Sequence, residues 1–565
     1  MRTIESRSDA NDRASKGPDP QSDYEHPLYS RRETLLTMFG VLMVMLLASL
    51  DQTIVGTAMP DIIANLNGFN EYTWVTTAYL LTSTVMVPIY GKLSDIFGRK
   101  PIFMIGVTLF LVGSALSGAS QSMLQLILFR GFQGIGAGAL MPIAMTVVGD
   151  LFTPRERGKW QGITGAVFGL SSILGPTLGG WIADNFTWRW VFYVNLPIGL
   201  AAMLVLIFLM PQLRAKDRSA RIDYIGCALI ALGTVPMLLG FTWAGTTYPW
   251  LSWQVLGLII GGVVVLGLFV FYEIYLERRD AQPIIEPTLF KNRIFSVSSL
   301  VTVIFGMGLF GSVSFIPLFV QGVAGSSATN SGVILMPLML TAMASSVVSG
   351  QLVSRLGKYK WLTIISMVIS VIGTYLLFRL DVHSGNLDVV LAMVVLGLGM
   401  GTGMSLYTLI VQNALPRKIA QATSSLTFFR QIGATVGLAA MGSLMVSSFP
   451  SAFTSALPAA VTSKLPPDVL SQLSNPNTLL NPAAPAPGAS QALHDPQLAA
   501  MITEAMKQAL AQSIHNIFVL CLFVMVAGLI SVFFLKEIKL LDRKRGPQTS
   551  EQSEEVMESS LAGML

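Results

Sequence analysis

The sequence predicts an all-α integral membrane protein with fourteen transmembrane helices, arranged as two six-helix bundles with two further helices inserted between them. Hydrophobic residues make up 52% of the 565 residues and charged residues only 12%, about half the share found in soluble globular proteins. Fourteen stretches are long and apolar enough to cross a bilayer, which takes about 20 residues. Motifs from the first half of the chain also recur in the second half.

The predicted spans begin near residues 34, 73, 101, 122, 160, 189, 223, 253, 294, 331, 361, 388, 424 and 513. The first 33 residues are polar and of mixed charge, so we expect no cleavable signal peptide and a targeting role for the first span. With two cysteines and four histidines, the composition argues against a disulfide framework, a zinc site and haem attachment.

The distribution of basic residues predicts the orientation of the spans. Four of the 36 Lys and Arg residues fall in the loops of one side and two lie inside spans, so the remaining 30 lie in the tails and the other loops. Basic residues concentrate on the cytoplasmic side of membrane proteins. We therefore expect a multi-pass protein of the cytoplasmic membrane with both termini in the cytoplasm.

Internal repeats define the predicted domain organisation. The stretch GKLSDIFGRK at 91–100 matches GQLVSRLGKYK at 350–360, and Pro154 with Arg155 matches Pro416 with Arg417. Both matches equate span n with span n + 8. If each half has six spans, an offset of eight requires two extra spans between the halves, so the order is six spans, two inserted spans and six spans. The predicted segments are a disordered cytoplasmic tail (1–33), an N-terminal bundle (34–210), two inserted helices with their loops (211–290), a C-terminal bundle with a long external loop (291–540, loop 449–512) and a cytoplasmic tail (541–565). Within that loop, helical spacing between Leu498 and Met506 predicts an outward extension of the last span.

Two charged residues lie inside predicted spans, where charge is costly and is usually functional. Asp51 in span 1 and Arg130 in span 4 each lie eight residues, or about 12 Å, from the outer boundary, so they share a depth. We expect Asp51 to accept a proton and Arg130 to tune its affinity for that proton. The alternative is a static ion pair that holds spans 1 and 4 together.

Several motifs together resemble one family. GKLSDIFGRK resembles the hallmark inner loop of the major facilitator superfamily, and RGFQGIGAG at 130–138 and GPTLGG at 175–180 resemble its motifs in spans 4 and 5. LDQTIVGTAMP at 50–60 and WRWVFYVNLPIG at 188–199 are similar to the fourteen-helix drug/proton antiporters of that superfamily. The resemblance extends over about residues 34–540.

The resemblance implies roles for two further sets of residues. A cytoplasmic latch would consist of Gly91, Asp95, Gly98, Arg99 and Asp150, with Asp95 near the amino end of span 13 and Arg99 paired with Asp150. The glycines would allow close approach of the two halves. An antiporter motif in span 5 would consist of Gly175, Pro176, Gly179 and Gly180. That motif either seals the outer side or packs against a neighbouring helix.

Polar and aromatic residues within or at the ends of central spans are the candidate substrate contacts: Tyr79, Gln133, Asn195, Tyr407, Gln412, Asn413 and Arg430. For most of them the alternative is hydrogen bonding between helices. For Arg430 the alternatives are pairing with an anionic substrate group or extension of the side chain to the cytoplasmic interface.

We therefore expect a proton-coupled antiporter of the multidrug efflux type, which exports amphipathic or lipophilic small molecules by alternating access, and not an enzyme. Its substrates are expected to be lipophilic or cationic. The expected partners are substrates, protons and membrane lipids, with no nucleic acid, and the protein is expected to be a monomer. No GxxxxGK[ST] phosphate loop occurs, and we expect no cofactor or metal, because the proton gradient would supply the energy. The alternatives are a dedicated exporter of one metabolite or lipid and a sensor or scaffold that does not transport.

Overall fold

The computed structural model describes residues 29–66, 71–213, 222–245, 247–279, 281–323, 328–458, 461, 470 and 496–538. These residues form fourteen long helices, numbered here in chain order. They are α1 (Arg31–Leu66), α2 (Tyr72–Phe97), α3 (Arg99–Ala119), α4 (Met123–Leu151), α5 (Pro154–Asn185), α6 (Trp190–Tyr193 followed by Asn195–Leu209), α7 (Tyr224–Trp243), α8 (Trp253–Glu277), α9 (Arg293–Gly322), α10 (Ala328–Leu356), α11 (Lys360–Phe378), α12 (Asn386–Ala414), α13 (Ile419–Ala456) and α14 (Pro496–Phe533).

Thirteen of these helices are long and apolar enough to cross a membrane. The fourteenth is α2, whose 26 residues mix apolar side chains with Thr, Ser, Tyr, Lys and Asp. At 1.5 Å per residue α2 is about 39 Å long and can also span a bilayer. The predicted all-α fold with fourteen membrane helices is therefore confirmed. We define the inner end of the molecule as the one that carries the loop after α2, and the outer end as the opposite one.

Some predicted boundaries shift by a few residues. Helix α1 begins at Arg31 and continues to Leu66, beyond the predicted end of its span near Met59. The long external segment predicted at 449–512 is helical at both ends, because α13 continues to Ala456 and α14 begins at Pro496. The predicted outward extension of the last span is thus part of α14. The predicted tails at 1–28 and 539–565 and the middle of the external segment lie outside the described residues.

Equivalent helices pack in the same way in the two halves. In the N-terminal half α1 packs on α5 and α6, and α4 packs on α2 and α3. In the C-terminal half α9 packs on α13 and α14, and α12 packs on α10 and α11. Each of these pairings is related to its counterpart by adding eight to the helix number. The structure therefore has the repeat that the motifs predict, with α7 and α8 inserted between the copies.

The two halves meet along two seams. Helix α5 packs against α10 on one side, and α2 packs against α13 on the other, while α4 and α12 contact the opposite half between them. The inserted α7 packs on α8 and also contacts both α2 and α13. A small apolar cluster of Leu81, Met237 and Leu238, joined by Ile432, forms this contact. The inserted pair thus covers the seam between α2 and α13.

Glycines in α4 let neighbouring helices approach its backbone. A Cβ atom at Gly136 would overlap the backbone of Gly106 and Phe110 in α3, and one at Gly134 would overlap the backbone of Tyr79 in α2. The glycine-rich run of α4 is therefore a packing surface with two faces. Helix association in membranes depends on close contacts of this kind, because burial from lipid contributes little.

We expect Gly136→Val to destabilise the protein, because its side chain would force α3 and α4 apart. Overpacked substitutions of this kind cost about 1–3 kcal/mol. The measurement is thermal unfolding of the purified protein in detergent. Gly261→Val in α8 is the matched control, since nothing lies within 4 Å of a Cβ atom at that position. Equal unfolding temperatures for the two variants would contradict this account of the α3–α4 contact.

Candidate functional site

A buried network of polar side chains surrounds Asp51 in the N-terminal half. Arg130 donates from Nη1 to Asp51 Oδ2 at 2.8 Å, and Gln133 Nε2 and Asn195 Nδ2 each donate to Asp51 Oδ1 at 2.9 Å. Asp51 is fully buried and Arg130 is 2% exposed. The charge of one side chain is thus neutralised by the other, and both lie within membrane helices.

Further contacts fix the geometry of this network. Arg130 Nη1 also donates to Gln133 Oε1 at 2.7 Å, and the guanidinium carbon lies 4.2 Å from the centre of the Tyr79 ring. Asn195 Nδ2 also donates to Ser114 Oγ at 3.0 Å. Helices α1, α2, α3, α4 and α6 therefore all contribute to one site. The predicted shared depth of Asp51 and Arg130 appears in the structure as a direct ion pair.

Three of the residues predicted to line the substrate site take part in this network. Gln133 and Asn195 bind the Asp51 carboxylate, and the Tyr79 ring packs against Arg130. The sequence marked them as polar groups in central helices but gave no sign of their shared partner. Their side chains are buried, with exposures of 1% or less. In this conformation they hold the charged pair.

The predicted latch forms a second network at the inner end. Arg99 donates from Nε to Asp150 Oδ2 and from Nη1 to Asp95 Oδ1, both at 2.7 Å, and also to Ser94 Oγ. The Arg99 side chain is fully buried. The end of α2, the start of α3 and the end of α4 are therefore joined through one guanidinium.

The two glycines of the latch differ in what they do. A Cβ atom at Gly91 would overlap Ser424 of α13, so Gly91 does permit close contact between the halves. Gly98 instead has φ 90° and forms the turn between α2 and α3. Gly357, its counterpart in the repeat, has φ 67° in the turn between α10 and α11. This region favours glycine because a Cβ atom would be strained there.

The inner ends of the two halves are closed against each other by small residues and amides. Gly158 of α5 lies against the backbone of Gly350 in α10, and Ser346 Oγ donates to the Gly162 carbonyl at 3.1 Å. Gln412 of α12 donates to the Met145 carbonyl of α4 at 2.9 Å and to Thr423 Oγ1 of α13 at 3.1 Å. We call this set of contacts the inner seal.

Two residues of the predicted substrate set lie in or beside the inner seal. Gln412 is fully buried in it, and Asn413 is the next residue along α12, just before the helix ends. Tyr407 is also buried, packed near Phe305 with its hydroxyl lacking a hydrogen-bond partner in the described chain. Of the seven predicted contacts, only Arg430 is partly exposed.

The span 5 motif packs on the helix that carries Asp51. Cβ atoms at Gly175 and Gly179 would overlap Thr53 and Thr57 of α1, whereas nothing lies within 4 Å of such an atom at Gly180. Thr53 Oγ1 donates to the Ser171 carbonyl of α5 at 3.2 Å. Pro176 lies inside α5, which continues to Asn185. These contacts favour the helix-packing alternative for Gly175 and Gly179.

Comparison with known proteins identifies the family. The family model described as Major Facilitator Superfamily matches residues 41–223 and 217–438. The chain belongs to the major facilitator superfamily. The resemblance predicted from the motifs is therefore confirmed, and the fourteen helices are those of a membrane transporter.

Similar proteins within the superfamily are named as drug transporters. The multidrug transporter protein MdtP of Bacillus subtilis (strain 168) is 38% identical over 549 residues, which cover 94% of this chain and 98% of that protein. Multidrug resistance protein 3 of the same organism is 39% identical over 417 residues, covering 74% of this chain and 80% of that protein.

A solved structure of the superfamily has the same fold. The human organic anion transporter MFSD10 (TETRAN) aligns with a TM-score of 0.56 at 12% identity, covering 87% of this chain and 99% of that one. At this level of identity the likeness concerns the fold alone.

A bridge between the two halves of the transporter at the inner end was not predicted from the sequence. Glu286, in the linker between α8 and α9, forms ion pairs with Lys92 of α2 and with Lys418, which precedes α13. In the amide orientation that satisfies both neighbours, Gln421 of α13 donates to Glu286 Oε1 at 3.0 Å and accepts from Lys92 Nζ at 3.2 Å. We call these four residues the Glu286 bridge.

A second contact that was not predicted joins α5 to α10. Arg155 at the start of α5 donates from Nε to the Ser354 carbonyl and from Nη2 to the Arg355 carbonyl, the latter at 3.2 Å. These carbonyls lie at the carboxyl end of α10, where a cation is favoured. Ser354 occupies the position in the second repeat that Asp95 occupies in the first. The second repeat therefore lacks the carboxylate, and the backbone carbonyl of Ser354 accepts a hydrogen bond from Arg155. From the sequence alone, the basic residues of these loops indicate only topology.

We expect Glu286→Gln to weaken the inner seal, because the substitution removes the carboxylate shared by Lys92 and Lys418. Partly exposed ion pairs of this kind contribute about 1 kcal/mol, so the inner-open population should rise roughly five-fold. Spin labels at Lys159→Cys and Lys358→Cys, in a background without Cys227 and Cys521, would report the distance between the halves by pulsed electron resonance.

The matched control for this prediction is Glu277→Gln. The Glu277 carboxylate accepts from the backbone nitrogen of Thr288 within the same linker and does not join the halves. If the distance distribution of Glu286→Gln is the same as those of Glu277→Gln and of the protein that retains both glutamates, the Glu286 bridge does not hold the halves together.

Proposed function

We propose that this transporter is a proton-coupled antiporter that exports amphipathic or lipophilic small molecules by alternating access. It would act in the cytoplasmic membrane with both termini in the cytoplasm, as the 30 basic residues of the tails and inner loops indicate. The names of the similar Bacillus proteins support export of small molecules. The Asp51 network is the single observation that carries the proposed coupling.

Asp51 is suited to exchange a proton because its surroundings stabilise its charge through contacts that can be broken. All three of its hydrogen bonds come from side chains on other helices, α4 and α6. A carboxylate accepts stronger hydrogen bonds than the neutral acid does, by about two-fold. Protonation of Asp51 would therefore weaken the hold of α1 on α4 and α6 and permit these helices to shift.

The inner seal supports the alternating part of the proposal. Glycines, serines and amides make many of the contacts that close the inner end, beside a buried apolar cluster that joins Val85, Val87 and Ile89 of α2 to the C-terminal half. Contacts between small residues separate without leaving large apolar surfaces. The two halves are repeats of one another, and rigid rocking of such repeats about a central site is the known route of alternating access.

The proton gradient is an adequate energy source for this reaction. Exchange of one proton for one neutral molecule moves one charge across the membrane, which yields about 2.3 kcal/mol per 100 mV. This free energy corresponds to roughly a fifty-fold concentration ratio before any pH difference is added. No cofactor is needed for export on this scheme.

We expect Asp51→Asn to abolish proton-driven transport while leaving the protein folded in the membrane. Asparagine keeps the shape of the side chain but cannot bind and release a proton near neutral pH. The measurement is uptake of a panel of lipophilic dyes into inverted membrane vesicles before and after a proton gradient is imposed. The loss should be at least about ten-fold, which corresponds to about 1.4 kcal/mol.

The matched control is Asp61→Asn, which removes an exposed carboxylate further along the same helix. It should transport the dyes as the natural protein does. Full gradient-driven uptake by Asp51→Asn would show that the Asp51 network is only a structural ion pair. Absence of gradient-driven uptake of every dye by the natural protein would exclude proton-coupled export of this class of compound.

A further inference from the structure

The surroundings of α13 change abruptly at Arg430. All ten residues from Ile419 to Phe428 are buried, on every side of the helix. From Phe429 to Val436, every residue except Gly433 is partly accessible. The inner seal therefore ends at Phe428, and Arg430 is among the first residues of α13 beyond it.

The helical spacing shows which way Arg430 faces. It follows Thr423 by seven residues, which is two turns, so both lie on nearly the same face of α13. Thr423 binds Gln412 of α12 within the inner seal. Gly437, seven residues further on, packs on Met307 of α9. Arg430 therefore lies on the side of α13 that faces α12 and α9, about 10 Å outward of the Gln412–Thr423 contact. Along α13, Arg430 lies about 16 Å from the inner end of the helix at Ile419.

The charge of Arg430 is not neutralised within the described chain. Its side chain makes no hydrogen bond and no ion pair with any described residue. Arg130, by contrast, pairs with Asp51 and Gln133. The acidic groups buried in the membrane helices of the described chain are Asp51, already paired, and Glu273 of the inserted α8. The C-terminal half thus presents an uncompensated positive charge next to its inner seal.

A charge inside a membrane protein that has no internal partner requires one from elsewhere. Arginine is particularly suited to carboxylate, sulfonate and phosphate groups, because its planar guanidinium donates two parallel hydrogen bonds to them. A cationic molecule in the same place would be repelled. The buried hydroxyl of Tyr407, which has no partner in the described chain, lies on α12 at a similar distance outward of the seal.

We propose that Arg430 is a substrate-binding residue and that it selects amphipathic molecules with an acidic head group. The lipophilic body of the molecule would lie among the apolar side chains, and its anionic group would pair with the guanidinium. This inference rests on the proposed export function and narrows its substrate class from amphipathic or lipophilic molecules in general to those that carry an acidic head group.

Binding of three matched probes to the purified protein in nanodiscs tests the proposal without a proton gradient. The probes share a dansylaminoundecyl body and end in a carboxylate, a methyl ester or a trimethylammonium group. The natural protein should bind the carboxylate most tightly, measured by dansyl fluorescence. Arg430→Gln should lower the affinity for the carboxylate at least ten-fold and change the affinities for the ester and the ammonium less than two-fold.

Two further variants keep the result interpretable. Arg430→Lys retains the charge but not the paired donors, so it should keep part of the preference for the carboxylate. Arg379→Gln removes an equal charge from the exposed outer end of α11 and should leave all three affinities unchanged. Elution as a single species in size-exclusion chromatography would establish that each variant is folded.

The source of the anion is distinguished by the lipid of the nanodisc. If phosphatidylglycerol displaces the carboxylate probe from the natural protein, the resident anion is a lipid head group, and if it does not, the ligand is a dissolved acid. In both cases Arg430 is the counter-ion of the bound anion.

The proposal is overturned if the natural protein fails to bind the carboxylate probe or binds the three probes equally. It is also overturned if Arg430→Gln loses affinity for all three probes to the same extent. Failure of proton-driven uptake in vesicles would leave these affinities unchanged, so the two proposals fail separately.

Discussion

The structure of the N-terminal half depends on the need to neutralise a carboxylate within the membrane. Asp51 cannot be solvated there, so its charge is met by one guanidinium and two amides from helices α4 and α6. Asn195 extends the network to α3 through Ser114, and Tyr79 of α2 lies over the guanidinium. One charge thus organises side chains from five helices of this half.

The two halves are held together in a different way from the helices within each half. Within the N-terminal half a buried guanidinium, Arg99, joins three helix ends through two carboxylates. Between the halves the contacts are glycine surfaces, single hydroxyl bonds such as Ser346 to Gly162, the partly exposed Glu286 bridge, and apolar side chains of α2 that join the buried cluster of the C-terminal half. The Glu286 bridge is weak, because exposed ion pairs contribute about 1 kcal/mol or less. The ion pairs described within the N-terminal half are thus more deeply buried than those of the Glu286 bridge.

Much of the fold could be predicted from the sequence, because hydrophobic length and repeated motifs are local signals. The fourteen helices and the offset of eight between equivalent helices rest on such signals. The Asp51–Arg130 pair was expected from a shared depth in the membrane, and the Arg99–Asp150 pair was implied by the family resemblance. The partners of Asp51 could not be predicted, since Gln133 and Asn195 are indistinguishable in sequence from residues that contact a ligand. The Glu286 bridge was also missed, because it joins three segments that are far apart in the chain and lies in a linker without a motif.

The position of α7 has a consequence for how the interior can be reached from the lipid phase. This helix lies along the seam between α2 and α13 and contacts both, so a molecule dissolved in the bilayer meets α7 on that side before it meets the centre. Within the described residues, neither inserted helix packs along the opposite seam, between α5 and α10. The inserted pair therefore makes the protein laterally asymmetric, because α7 covers one of the two seams and, among the described residues, neither inserted helix covers the other.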